Sequence, residues 1–223
     1  MRCDEAGCQT MKSAKEILEL RWLKHGELDL FASWKLDEAC LGLQRLYLLH
    51  QGIEKMGKGM MICLNDPKLP PIKTEDDFDA VDTYFKKYWH CLDKIVGHVD
   101  ELSNKGMETL LQERQVPEAD NGMSEWEFLE LMCHKGLTEA KYPVSEPTHR
   151  SFPLIDKNGK KCGYLDLITS HVPETICRRI CQQFFEIIKD KNDCLFRELN
   201  RCPSSDVEED EWQRFLNEYV RED

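Results

Sequence analysis

The chain has 223 residues, enough to bury a core without disulfide or metal staples and to fill one large or two small domains. Its 42 acidic residues against 30 basic ones leave a net charge of -12, which repels phosphate backbones and argues against a nucleic-acid partner. The short basic groups, Lys157 with Lys160 and Lys161, and Arg178 with Arg179, read equally well as a solvated loop and a helix face.

The 11 cysteines are an odd number in a long chain, and the opening MRCDEAGCQTMKSAKE is polar and charged rather than secretory in character. Reduced thiols, a cytoplasmic or nuclear location and no disulfide-linked partner are therefore expected. No stretch approaches the ~20 apolar residues of a membrane span, so no membrane association is expected either.

Residues 1–12 carry Cys3 and Cys8 without an apolar period and read as a flexible arm. From Ser13 the spacing of Ala14, Ile17, Leu18 and Trp22 predicts a helix, with Gly26 after Lys24 and His25 as its stop. A second helix is predicted from Leu36 to Ile53, on Leu36, Ala39, Leu43, Leu46 and Ile53, ending between Gly52 and Gly59. His50 takes one position of that apolar stripe, as a ligand or, more simply, as a boundary histidine satisfied by a backbone carbonyl. Met60 to Leu64 suggests a short buried strand before the proline-rich connector.

Thr74, followed by Glu75, Asp76 and Asp77, has the capping hydroxyl and first-turn acids of a helix start. Phe78, Val81, Phe85, Tyr88, Leu92, Ile95, Val99 and Leu102 then repeat in three-four steps, which predicts one long helix. Tyr84, Trp89 and Val96 widen its apolar face beyond a coiled-coil seam and favour an intramolecular bundle. His90 and His98 fall on a charged face with Lys94 between them, a solvated face rather than a metal site.

ERQVPEADNG, residues 113–122, reads as an exposed loop and the best place for a boundary. Ser124 and Glu127 then form a capping box for a helix carrying Trp126, Phe128, Leu129, Leu131 and Met132. In SFPLIDKNGKKCGYLDLI two apolar runs flank Asn158-Gly159, the favoured pair for a tight hairpin turn. Pro173 and Glu174 open a helix through Ile176, Ile180, Phe184, Ile187 and Ile188, continuing towards Leu195 and Leu199. The chain closes on an acidic helix with Trp212, Phe215, Leu216, Tyr219 and Val220 on one side.

The fold expected from these elements is mostly α, or α+β with minor β: a bundle of five or six helices with a small β-hairpin in the C-terminal third. Residues 13–112 form the helical bundle, and 113–223 supply a helix, the hairpin and the C-terminal helices packed on it as one unit.

No glycine-rich phosphate loop, nucleophile elbow or His-Glu-x-x-His pattern occurs. The expected function is therefore a non-catalytic interaction protein, a subunit, adaptor or regulatory factor with another protein as its partner and no cofactor or metal. Its candidate anchors are Trp212, Phe215, Leu216 and Tyr219 of the acidic C-terminal helix, which suits either a partner's groove or its own bundle. Two alternatives stay open. Asp156 and Asp166 on the hairpin arms, with Lys160 and Lys161 near the turn, would suit a metal-assisted hydrolase or nuclease-like enzyme. Cys3, Cys8, Cys133, His134, Cys177 and Cys181 would have to converge in a zinc-stabilised module, although no Cys-x-x-Cys spacing supports it.

Overall fold

The structure, a computed structural model, describes residues 12–38, 42–88, 90–116, 122–132, 154–155, 161–162, 171–203 and 207–219. These are mostly helical, in the order α1 (Ala14–Glu38), α2 (Gly42–Cys63), α3 (Phe78–Phe85), α4 (Leu92–Ser103), α5 (Met107–Glu113), α6 (Glu125–Leu131), α7 (Val172–Lys191), α8 (Asp193–Leu199) and α9 (Glu209–Tyr219). Among the described residues no helix is long and apolar enough to cross a membrane.

The first two helices form an antiparallel hairpin, as the Lys15 to Asn65 hydrogen bond at one end and the Ser33 to Arg45 carbonyl bond at the other require. Gly26 does not stop α1. It lies where the helices cross, and a Cβ there would stand 2.8 Å from the Gly52 carbonyl oxygen and 2.6 Å from Met56 Cγ. The glycine pair gives up helix propensity in exchange for backbone approach. The expected second helix at Leu36 is also displaced, because α1 runs to Glu38 and α2 begins at Gly42.

The strand expected at Met60 to Leu64 is helical as far as Cys63. Met60, Met61 and Ile62 are all fully buried, so this part of α2 is apolar all round and loses the period that marks a surface helix. Asn65 closes α2 in the left-handed conformation, with its N–H bonded to the Ile62 carbonyl and that of Asp66 to the Met61 carbonyl, a Schellman ending with Asn in place of Gly.

The long helix expected from Phe78 to Leu102 is two helices. After α3 a 3-10 turn, Lys86–Tyr88, leads to His90 at φ +59°, and α4 starts afresh at Leu92. Both pieces bury one stripe, Val81 and Phe85 then Leu92, Ile95, Val96 and Val99, so the three-four pattern survives the break. The start of this segment is capped by the Asp77 carboxylate, which accepts from the backbone N–H groups of Lys73 and Thr74.

Beyond α4, Asp100 caps α5 by accepting from the N–H groups of Met107 and Glu108. A backbone clasp, Val116 N–H to the Met123 carbonyl and Glu125 N–H to the Arg114 carbonyl, ties residues 114–116 to residues 123–125 at the start of α6. The Ser124 and Glu127 capping box is present as expected. The helix expected to continue towards Leu199 is instead interrupted at Asn192, whose side chain caps α8 by accepting from Leu195 N–H.

Of the expected hairpin, the described residues contain only the antiparallel pairing of Leu154–Ile155 with Lys161–Cys162, Leu154 opposite Cys162. Its turn, residues 156–160, lies outside them.

Helix α2 packs on α1, α4 and α7. A Cβ on Gly57 would clash with Ile95 of α4 and stand 3.8 Å from Phe184 of α7, which shows how closely these two helices converge on α2. An ion pair between Arg45 and Glu174 ties α2 to α7, and Tyr219 of α9 donates to the same carboxylate at 3.3 Å.

Candidate functional site

His50, Glu54 and Lys58 follow one another at steps of four along α2 and therefore share one face of the helix. All three are buried, with 2%, 3% and 8% of their surface exposed. Burying an ionised group is costly unless it is paired, so the cluster must satisfy itself internally.

Glu54 is its centre. One carboxylate oxygen accepts from the Lys58 ammonium, and the other lies 2.6 Å from His90 Nδ1 and 3.3 Å from Gln51 Nε2. Burial alone would raise the Glu54 pKa, but Lys58 and His90 outweigh it and hold the group below its ordinary value. Lys58 also stands 5.2 Å from the Trp22 ring and 5.9 Å from that of Phe85, close enough for cation–π attraction to both.

His50 behaves differently. Burial pushes its pKa down to about 4, although Glu54 Oε2 lies 3.8 Å from its Nδ1. Neither ring nitrogen has a hydrogen-bond partner of normal geometry, but the backbone of His90 faces the ring and favours its protonated form, the kind of contact expected of a boundary histidine. It is a neutral imidazole enclosed beside an ion pair.

Above this cluster opens a pocket of about 260 Å3, walled by Trp22 of α1, Glu54 and Lys58 of α2, Asp82 and Phe85 of α3, and His90. Lys86 completes the rim. The two aromatic rings meet edge to face at 5.5 Å. His90, with nearly half its side chain exposed, connects the buried carboxylate to the mouth. Its left-handed backbone costs about 1 to 2 kcal/mol for a non-glycine residue and persists where surrounding contacts over-determine it.

A second polar cluster surrounds Asp66, just beyond α2. Its Oδ2 accepts from the Tyr84 hydroxyl at 2.5 Å and lies 2.9 Å from His98 Nε2, while Oδ1 accepts from Lys68 N–H. Burial would raise the Asp66 pKa, but these hydrogen bonds reverse that and keep it low. The cluster ties the end of α2 to α3 and α4.

The expectation of a shared solvated face for His90 and His98 is thus corrected. The break before α4 turns them apart, one to Glu54 and the other to Asp66, and His98 is largely buried. Trp212, Phe215, Leu216 and Tyr219 are packed in cis, each at most 1% exposed. Phe31 of α1 meets the Trp212 ring at 5.3 Å and that of Phe215 at 5.5 Å. Cys177 and Cys181 are fully buried, and burial pushes the Cys177 thiol up to about 12, so both are protonated hydrophobes. Among the described residues no group of three His, Cys, Asp or Glu could hold a metal ion. Asp156, Asp166, Lys160, Cys3, Cys8, Cys133 and His134 lie outside the described residues.

Sequence reasoning singled out His50 and missed Glu54, Lys58 and Trp22. The legible signal was the four-residue spacing of His50, Glu54 and Lys58, which places all three on one face of the helix. What paired them, Trp22 and His90, comes from distant parts of the chain. Comparison with family models, with curated proteins and with solved structures finds no match to this chain.

Proposed function

We propose that this chain is a non-catalytic interaction protein, a complex subunit, adaptor or regulatory factor of the cytoplasm or nucleus. Its contact with a protein partner is made at the Trp22–Phe85 pocket rather than through α9. The observation that carries this reading is the pocket itself: two aromatic rings, a buried ion pair in its wall and a rim of Asp82, Lys86 and His90. An apolar recess with a charged rim is the form that receives a single anchoring side chain from a partner. Trp212, Phe215, Leu216 and Tyr219 are each at most 1% exposed, packed against the chain's own core, which favours the pocket over α9 as the contact.

The test is site-directed photo-crosslinking. A benzophenone amino acid placed at Lys86 should give a discrete adduct of defined mass in cells of the protein's own source, absent when it is placed at the exposed Arg197, and lost with Trp22→Ala. An identical adduct pattern at both positions, or none at either, overturns the reading.

One observation favours an enzyme instead. The 2.6 Å contact between Glu54 and His90 Nδ1 leaves Nε2 without a hydrogen bond among the described residues, the way a carboxylate orients an imidazole for general-base work. Hydrolysis abolished by His90→Gln, with the fold retained, would select this second reading.

A further inference from the structure

A second cavity, of about 230 Å3, lies between the end of α5, the start of α6 and the first turn of α7. Its walls include Arg114, Gln115, Glu125, His171, Thr175 and Arg179. In a chain of net charge -12 this is a concentration of positive charge: two guanidiniums against one carboxylate. Arg179 is paired with Glu125 Oε1, and the Arg114 side chain has no acidic partner among the described residues. The N-terminal turn of the 20-residue α7 adds the partial positive charge of its dipole to one wall.

Glu125 supplies the discriminating feature. It is 5% exposed, and its Oε2 is buried without a hydrogen-bond partner. A buried carboxylate oxygen in a cationic cavity requires a donor, so a bare oxyanion would meet both attraction from the arginines and repulsion from Oε2. An oxyanion that keeps an O–H satisfies both. The volume is below the ~300 Å3 at which drug-sized pockets begin, which restricts the occupant to a small group.

We propose that this cavity binds a protonated phosphate group, free or as the head of a small monoester, with Arg114 and Arg179 donating to its unprotonated oxygens and Glu125 Oε2 accepting its P–OH. Arg179 uses only Nη1 on Glu125, so donors of its fork remain for the ligand.

Isothermal titration calorimetry of the full chain at pH 6 and fixed ionic strength, with inorganic phosphate, glycerol phosphate and sulfate, tests this. Phosphate or its ester should bind at least about tenfold more tightly than sulfate, which has no O–H to give Glu125. Arg114→Gln should weaken phosphate binding about tenfold, and Glu125→Gln should abolish the preference over sulfate. Should Glu125→Gln unfold the chain by losing its Arg179 partner, the pH profile replaces it. A monoester gives up its last proton near pH ~6, so its binding should fall from pH 5.5 to 7.5, whereas inorganic phosphate retains an O–H and should hold. A tighter ester or a tighter free phosphate identifies the source, and either supports the site. No binding of either at millimolar concentration, equal affinity for sulfate, or an unchanged Arg114→Gln overturns it.

Discussion

Glu54 on α2 and His90 at the break between α3 and α4 are joined by a 2.6 Å contact, which ties a left-handed histidine to the carboxylate that pairs the buried Lys58. Removing the carboxylate charge would leave Lys58 buried at 8% exposure with no acid. Glu54→Gln should therefore cost about 3 kcal/mol or more in urea unfolding. A loss below about 1 kcal/mol would mean that the cluster is hydrated rather than buried.

Gly52 is the second sensitive point. A Cβ there would lie 2.6 Å from Leu30 Cγ, a distance that forces the α1–α2 crossing apart. Gly52→Ala should lower stability by about 1 to 3 kcal/mol, despite alanine's better helix propensity. A higher melting temperature for the variant would contradict the close crossing.

His50 sets an acid limit. Burial holds its folded pKa at about 4, below the ordinary 6.5, so between these values the unfolded chain binds more protons than the folded one. Stability should fall as pH drops from 6.5 towards 4, by about 2 to 3 kcal/mol from this group. His50→Phe should flatten that part of the curve, as urea midpoints at successive pH values would show.

Glu27 acts at the other end of the scale. It is fully buried, and burial pushes its pKa up to about 8 despite the Lys24 ammonium at 2.9 Å. The folded state therefore holds this proton more tightly than the unfolded one, and stability should decline as pH rises from 4.5 through 8. Glu27→Gln mimics the protonated form, and at pH 9 it should be more stable than the parent by at least about 1 kcal/mol. Equal midpoints there would show that Glu27 ionises freely.

Trp212 is a core residue of the chain's own fold, at 0% exposure. Trp212→Ala should cost about 3 to 5 kcal/mol of folding stability. Denaturation curves that match the parent would return α9 to the role of an exposed partner helix.

Much of the helical content was legible because burial repeats along a helix. The α3–α4 stripe, the Ser124 capping box and the apolar face of α7 all carry their signature in consecutive residues. Where the reading failed, a local rule met a tertiary reason. Gly26 resembles a helix stop and is a point of helix contact; Met60 to Ile62 resembles a strand and is a helix enclosed on all sides; the unbroken stripe through His90 conceals a break.

The sequence by itself determined that the chain is acidic, mostly helical and without a membrane-spanning helix among its described residues, because composition and period are additive along the chain. Only the tertiary structure decided which charges are buried, that α9 folds back on α1 and α7, and that Trp22, Glu54, Phe85 and His90 share one pocket. Those outcomes depend on pairs of residues far apart in sequence. Desolvation makes each buried charge depend on the partner that packing delivers, and no single segment encodes that partner.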